Sequence, residues 1–180
     1  MSKNKPIKAY IFIGMPCSGK STYIRETGLK HISIDQIKEK RNMKYNFKRK
    51  NRKKEEVKPG SIMQKIFEQV TQSIQNEEDF AYEALNIEKE KRAYFIEKTK
   101  EIAKSLNKEI EFIAVFMDTD PDTAYLRGFA REKDSQENPD QYTGVNSDSV
   151  EYKNLVNYCK NLDKPRKEEG FSQIIVIKSS

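Results

Sequence analysis

Apolar residues arrive along this chain in short bursts, and their spacing changes from one burst to the next. Ile7 to Ile13 (IKAYIFI), bounded by Pro6 and Gly14, is dense enough to read as a buried strand. A glycine-rich turn follows, and a helix is predicted to begin at Lys20. His31 to Ile34 reads as a short second strand that ends at Asp35. After a long polar stretch, Pro59-Gly60-Ser61 marks a helix start. Ile62, Ile66, Val70 and Ile74 then recur every four residues with Met63 and Phe67 beside them, the stripe of an amphipathic helix.

Phe80-Ala81-Tyr82 predicts a brief third strand. Asn86 is expected to N-cap a long helix to about Asn107, with Phe95, Thr99, Ile102 and Leu106 on one face. Ile110 to Met117 (IEFIAVFM) is the second dense apolar run, and a helix is predicted from Pro121 through Arg131. Residues 133–147, polar and carrying Pro139 and Gly144, are expected to form a mobile loop. Tyr152, Leu155, Val156, Cys159 and Leu162 form another helical stripe, and Ile174 to Ile177 is read as a closing buried strand. No segment repeats.

Strands alternating with helices predict an α/β three-layer sandwich around a central parallel sheet of about five strands. Ligands on such sheets bind beyond the carboxyl ends of the strands. Gly14, Asp35, Glu83 and Asp118 all fall at or near such ends, so one site should gather them.

Composition and charge narrow the picture. The chain has 180 residues, enough for one compact domain spanning 1–180, and its 34% charged residues imply a heavily solvated surface. No apolar run approaches the roughly 20 residues of a membrane span, and MSKNKPIK leads into the first strand without a secretory pattern. Cys17 and Cys159 are too few for a disulfide framework, so a reduced, cytoplasmic protein is expected, without membrane or disulfide-linked partners. The net charge of +6 is uneven. Lys38 to Lys54 holds ten Lys/Arg against one acid, Glu39, which leaves the rest of the chain net acidic by three. Tyr45 and Phe47 are interleaved there, a pattern suited to single-stranded nucleic acid and also to a solvated segment.

The strongest chemical signal is Gly14-Met15-Pro16-Cys17-Ser18-Gly19-Lys20-Ser21, which fits G-x-x-x-x-G-K-[ST] without a mismatch. The glycines let backbone N–H groups turn inward to cradle phosphates, and the following helix adds its positive end. Lys20 is placed to reach the β- and γ-phosphates of ATP, the Ser21 hydroxyl to ligate Mg²⁺, and Thr22 continues the binding segment. Moving a phosphoryl group to a hydroxyl also needs a base and cations over the developing charge. Asp35 is the best-placed carboxylate, with N-capping of a helix Gln36–Lys40 as its plainer role. Arg127 and Arg131, four apart, share one helix face and suit a lid at about 121–147, or simply a solvated surface. Glu83 is positioned to hold a Mg²⁺-bound water, as a Walker B acid does, or to be an ordinary surface glutamate. His31, the only histidine, is assigned a structural role, and Cys17 that of a tolerated small residue.

Several of these segments together resemble the 5′-hydroxyl polynucleotide kinases of bacteriophages and bacterial RNA-repair systems, kinase domain only. GMPCSGKST opens the likeness. Ser33-Ile34-Asp35-Gln36-Ile37-Lys38 is similar to the family's acceptor segment, in which an Asp is the general base and an Arg three residues on binds the acceptor's 3′ phosphate. Tyr82-Glu83-Ala84-Leu85-Asn86, with the basic helix Glu88–Arg92, resembles its Asp-Ala-Thr-Asn stretch. Arg127 and Arg131 match a lid pair, and Pro165 with Glu169-Gly170-Phe171 resembles its C-terminal ending. The resemblance implies ATP-dependent phosphorylation of RNA or DNA 5′ ends, with Lys38 on the acceptor phosphate and a basic insertion at about 38–60. Lys38 replaces the usual Arg, Glu83 and Leu85 replace an Asp and a Thr, and Gly128 stands where Asn is common. A small-molecule kinase and a non-catalytic nucleotide- or nucleic-acid-binding protein are the competing functions.

Overall fold

The computed structural model describes residues 5–40, 61–137 and 151–178. Five strands, β1 (Ile7–Ile13), β2 (Lys30–Ser33), β3 (Phe80–Glu83), β4 (Ile110–Asp118) and β5 (Gln173–Lys178), form one sheet in the order β2-β3-β1-β4-β5. Every pairing is parallel, with Tyr10 beside Ala81 on one flank and beside Ile113 on the other. Among the described residues the α-helices are α1 (Lys20–Thr27), α2 (Ile34–Lys40), α3 (Ile62–Gln75), α4 (Lys89–Ser105), α5 (Pro121–Glu137) and α6 (Tyr152–Lys160), with a 3-10 turn at Lys167–Glu169. This is the α/β architecture the alternating pattern predicts.

The period of two along β1 assigns its side chains to two cores. Ile7, Ala9, Ile11 and Ile13 join the larger core with Ile66, Val70 and Ile74 of α3 and Phe95 and Ile96 of α4. Phe12 faces the other way, onto Ile24 of α1, Ala81, Val115 and Met117. The larger core is tied by aromatic contacts: Phe95 lies flat against Tyr82, ring centroids 3.8 Å apart, and near-parallel to Phe67 at 5.9 Å. Ser61 caps α3 by accepting from the Gln64 N–H at 3.1 Å, as the Pro-Gly-Ser signal anticipates.

Four expectations are corrected. Asn86 does not cap α4: the helix begins at Lys89, and Asn86 turns at φ 50°, its side chain used elsewhere. α5 continues to Glu137, so residues 133–137 are helical, and the remainder of the expected loop lies outside the described residues. β5 is not buried. It is an edge strand with Val176 half exposed, because apolar side chains record a preference for burial and not whether a helix covers them. In α6 only Leu155 is buried, while Tyr152 and Cys159 are exposed and Leu162 lies beyond the helix. Among the described residues no helix is long and apolar enough to cross a membrane, and Cys17 and Cys159 are free thiols.

Candidate functional site

Residues 14–21 run from the carboxyl end of β1 into α1, at the centre of the sheet's carboxyl edge. Glycine is required at 14 by proximity: a Cβ there would lie 2.9 Å from Ser18 Oγ and 3.0 Å from Met117 Cβ. Gly19, at φ 96°, turns the chain into α1 in a left-handed conformation that side chains resist. Cys17 adopts φ 59°, so a residue with a side chain also makes a left-handed turn inside the loop. Met15 is buried against Ala124 of α5 and Leu155 of α6, which seats the loop between sheet and outer helices.

Lys20 is buried at 7% exposure, and its Nζ donates to the carbonyls of Gly14 (2.9 Å) and Met15 (2.8 Å). Burial pushes its pKa below the ordinary lysine value. Glu83 and Asp35 pull it back up, while Arg131 adds to the depression. Ser21 and Thr22 are exposed in the first turn of α1.

Glu83 is the last residue of β3, and its carboxylate has a donor on each oxygen. Ser21 Oγ donates to Oε1 at 2.6 Å, and His31 Nε2 lies 2.6 Å from Oε2. The Gln36 amide nitrogen is 2.9 Å from His31 Nδ1. Burial works to raise the Glu83 pKa, but the hydrogen bonds from His31 and Ser21 and the Lys20 charge prevail, so it falls below its usual value. Glu83 is an anion at neutral pH.

Asp35 is exposed within the first turn of α2, which begins one residue earlier at Ile34. It is thus inside the helix and not its cap. Arg127 and Arg131 are both exposed on α5. Arg127 Nη1 is 3.5 Å from the Ser18 carbonyl and would lie 3.7 Å from a Cβ at Gly19, so this face of α5 looks onto the loop. The Lys38 side chain and the basic residues 41–54 lie outside the described residues.

Behind the loop is a brace that the sequence pattern does not reveal. The Gly14 N–H donates to Leu85 O at 3.2 Å, and Asn86 Nδ2 to Phe12 O at 2.8 Å, which ties the turn after β3 to the end of β1. Arg92 of α4, fully buried, donates to the carbonyls of Asn86 (2.9 Å) and Ile87 (3.3 Å). It also grips Glu169 through Nε (2.7 Å) and Nη2 (2.8 Å). One signal was available: Arg92 falls three and seven residues before Phe95 and Thr99, on the helix's apolar stripe. His31 and Gln36 were also missed as members of the site.

No family model matches the sequence, and no curated protein matches it. Its fold is shared with solved structures. The chain is similar to a proposed kinase from Chloroflexus aurantiacus J-10-fl, with 14% identity and a TM-score of 0.61 over 98% of this chain and 90% of that one. It is similar to a fungal RNA kinase, with 12% identity and a TM-score of 0.57 over 98% of this chain and 77% of that one. Chaetomium thermophilum Kti12, solved with ADP-AlF3, aligns at 13% identity and a TM-score of 0.54 over 94% and 88% of the two chains. At such identities the likeness is one of architecture: this chain has the fold of P-loop kinases.

Proposed function

We propose that the chain is a single ATP-dependent kinase domain that transfers the γ-phosphoryl group to the 5′-hydroxyl end of RNA or DNA. The observation that supports this reading is the glycine loop at the centre of the sheet's carboxyl edge, with Lys20 buried in it, Ser21 and Glu83 2.6 Å apart at its rim and Arg127 reaching the Ser18 carbonyl at 3.5 Å. Residues 14–22 hold the nucleotide phosphates on backbone N–H groups, and Lys20 offers an N–H to the transferred group. Asp35 accepts the proton of the acceptor hydroxyl as its oxygen bonds to the γ-phosphorus and the bond to ADP breaks. Arg127 and Arg131 face the charge spreading over the equatorial oxygens.

A Mg²⁺ ion fits the donors present. The Ser21 hydroxyl and the Glu83 carboxylate, 2.6 Å apart at the rim of the loop, are hard oxygen donors, one of them anionic. Mg²⁺ is commonly held by one or two such groups with substrate phosphates completing the shell, so a closed protein cage is not required. Ser21 would bind it directly and Glu83 through water; when bound, it neutralises phosphate charge. These two side chains orient one another in advance of binding.

The polynucleotide part of this reading rests on the sequence from Lys38 to Lys54, which begins three residues after Asp35. Lysines and arginines there would follow the acceptor backbone, with Lys38 on its first phosphate. Acceptor affinity should then fall with salt at a log–log slope of about −0.7 per phosphate neutralised. Changing Arg49, Lys50, Arg52 and Lys53 to Gln should flatten that slope and raise KM for long acceptors while sparing a 3′-phosphorylated mononucleoside. Indifference of long and short acceptors alike to both salt and substitution would return the chain to small-molecule kinases.

A further inference from the structure

The imidazole of His31 occupies a place that a merely structural histidine does not need. β2 pairs with β3 in a register that sets His31 beside Ala81 and Ser33 beside Glu83. Alternate residues share a face, so His31 and Glu83 project on the α1 side of the sheet, one diagonal step apart. His31 and Glu83 are 20% and 12% exposed, sheltered without being sealed from the site.

The hydrogen bonds converge on the Glu83 carboxylate from two sides. The Gln36 amide nitrogen donates to Nδ1, which leaves the ring's N–H on Nε2 pointing at Glu83 Oε2. Ser21 donates to the other oxygen. With one hydrogen-bond partner on each oxygen, the carboxylate is held against rotation about its last torsion. Gln36 is next to Asp35, so the same hydrogen bonds tie the start of α2, on the acceptor side, to the first turn of α1, on the phosphate side.

We propose that His31 is a positioning residue, which fixes the Glu83 carboxylate for metal-assisted nucleotide binding and, through Gln36, sets α2 and its Asp35 against the phosphate loop. This rests on the reading of residues 14–21 as an ATP site but not on the identity of the acceptor. Partners of this kind, one bond removed from a metal-supporting group, typically change metal affinity by about 10–100-fold when lost.

The test is equilibrium ATP binding by the full chain, with and without Mg²⁺, without turnover. His31→Phe should raise the Mg²⁺ concentration needed for half-maximal ATP binding about tenfold or more, and leave ATP binding in EDTA within about twofold of wild type. Because Gln can donate from nearly the place of Nε2, His31→Gln should recover most of the loss. Should His31→Phe fail to fold, Gln36→Ala must still shift the Mg²⁺ midpoint the same way, by a smaller factor. A Mg²⁺ midpoint unchanged in Gln36→Ala and in folded His31→Phe, whatever their melting temperatures, would overturn the inference and leave the kinase reading intact. Wild-type protein that binds no ATP under any condition would overturn both.

Discussion

The two flanks of the phosphate loop are built differently. On the β2–β3 flank, Gln36, His31, Glu83 and Ser21 are joined by three hydrogen bonds of 2.6 to 2.9 Å, anchored in paired strands. On the α5 flank, Arg127 approaches the Ser18 carbonyl at 3.5 Å from an exposed helix whose outer face carries Leu126 and Phe129. The first flank is set before substrate arrives. The second presents Arg127 and Arg131 from the exposed face of a helix, where the proposed reaction would bring phosphates to them. Under the proposed function, preorganisation would lie where charge is bound and adaptability where charge develops.

If that contrast holds, the wired flank should fail in structure and binding, and the arginine flank in rate alone. The largest effect is expected behind the wired flank. Arg92→Ala leaves the Glu169 carboxylate buried with its main partner gone, a loss of about 3–5 kcal/mol, readable as a lower denaturant midpoint. An unchanged midpoint would show that the brace carries no weight. In the site, Lys20→Ala should lower kcat/KM about 10³-fold and weaken ATP binding; near wild-type turnover would defeat the P-loop reading. Asp35→Asn should lower kcat about 10²-fold with ATP affinity held. A variant that instead loses stability at normal specific activity would make Asp35 a helix-dipole partner only. Arg131→Ala, and Arg127→Ala after it, should cost about tenfold or more in kcat with KM for ATP unmoved, measured by steady-state kinetics.

The smallest effect is one of pH. Since the Glu83 pKa is lower folded than unfolded, its charge contributes stability that is complete above the usual glutamate value of 4.5. That contribution is lost as pH falls through the depressed value. The stability gap between wild type and Glu83→Gln should therefore be flat at neutral pH and close under acid. A gap independent of pH would mean the carboxylate's charge is not what Ser21 and His31 hold.

Local signals were legible and relayed ones were not. The run Ile7–Ile13 with the glycine loop after it marks β1, the loop and α1, because burial on both faces and a phosphate cradle each leave a contiguous imprint. Glu83 could be placed at a strand end for the same reason. Asn86 looked like a cap because cap residues and left-handed turn residues are the same few types; only the carbonyl of Phe12, 74 residues away, decides between them. Arg92 reads in sequence only as part of the basic helix Glu88–Arg92, since its buried acid lies 77 residues on. His31 was assigned to structure because a lone histidine has no pattern, and its meaning depends on the strand register that brings Glu83 beside it. For residues 41–60 and 138–150 the reading stays one of sequence alone.

Transfer to a 5′-hydroxyl is measured directly with γ-labelled ATP. Incubated with Mg²⁺ and oligonucleotides that differ only at the 5′ end, the wild-type protein should label the 5′-hydroxyl strand and not its 5′-phosphorylated twin. That label should vanish in Lys20→Ala and fall about 10²-fold in Asp35→Asn. Label on neither strand, with ATP bound normally, would rule out a 5′-hydroxyl kinase.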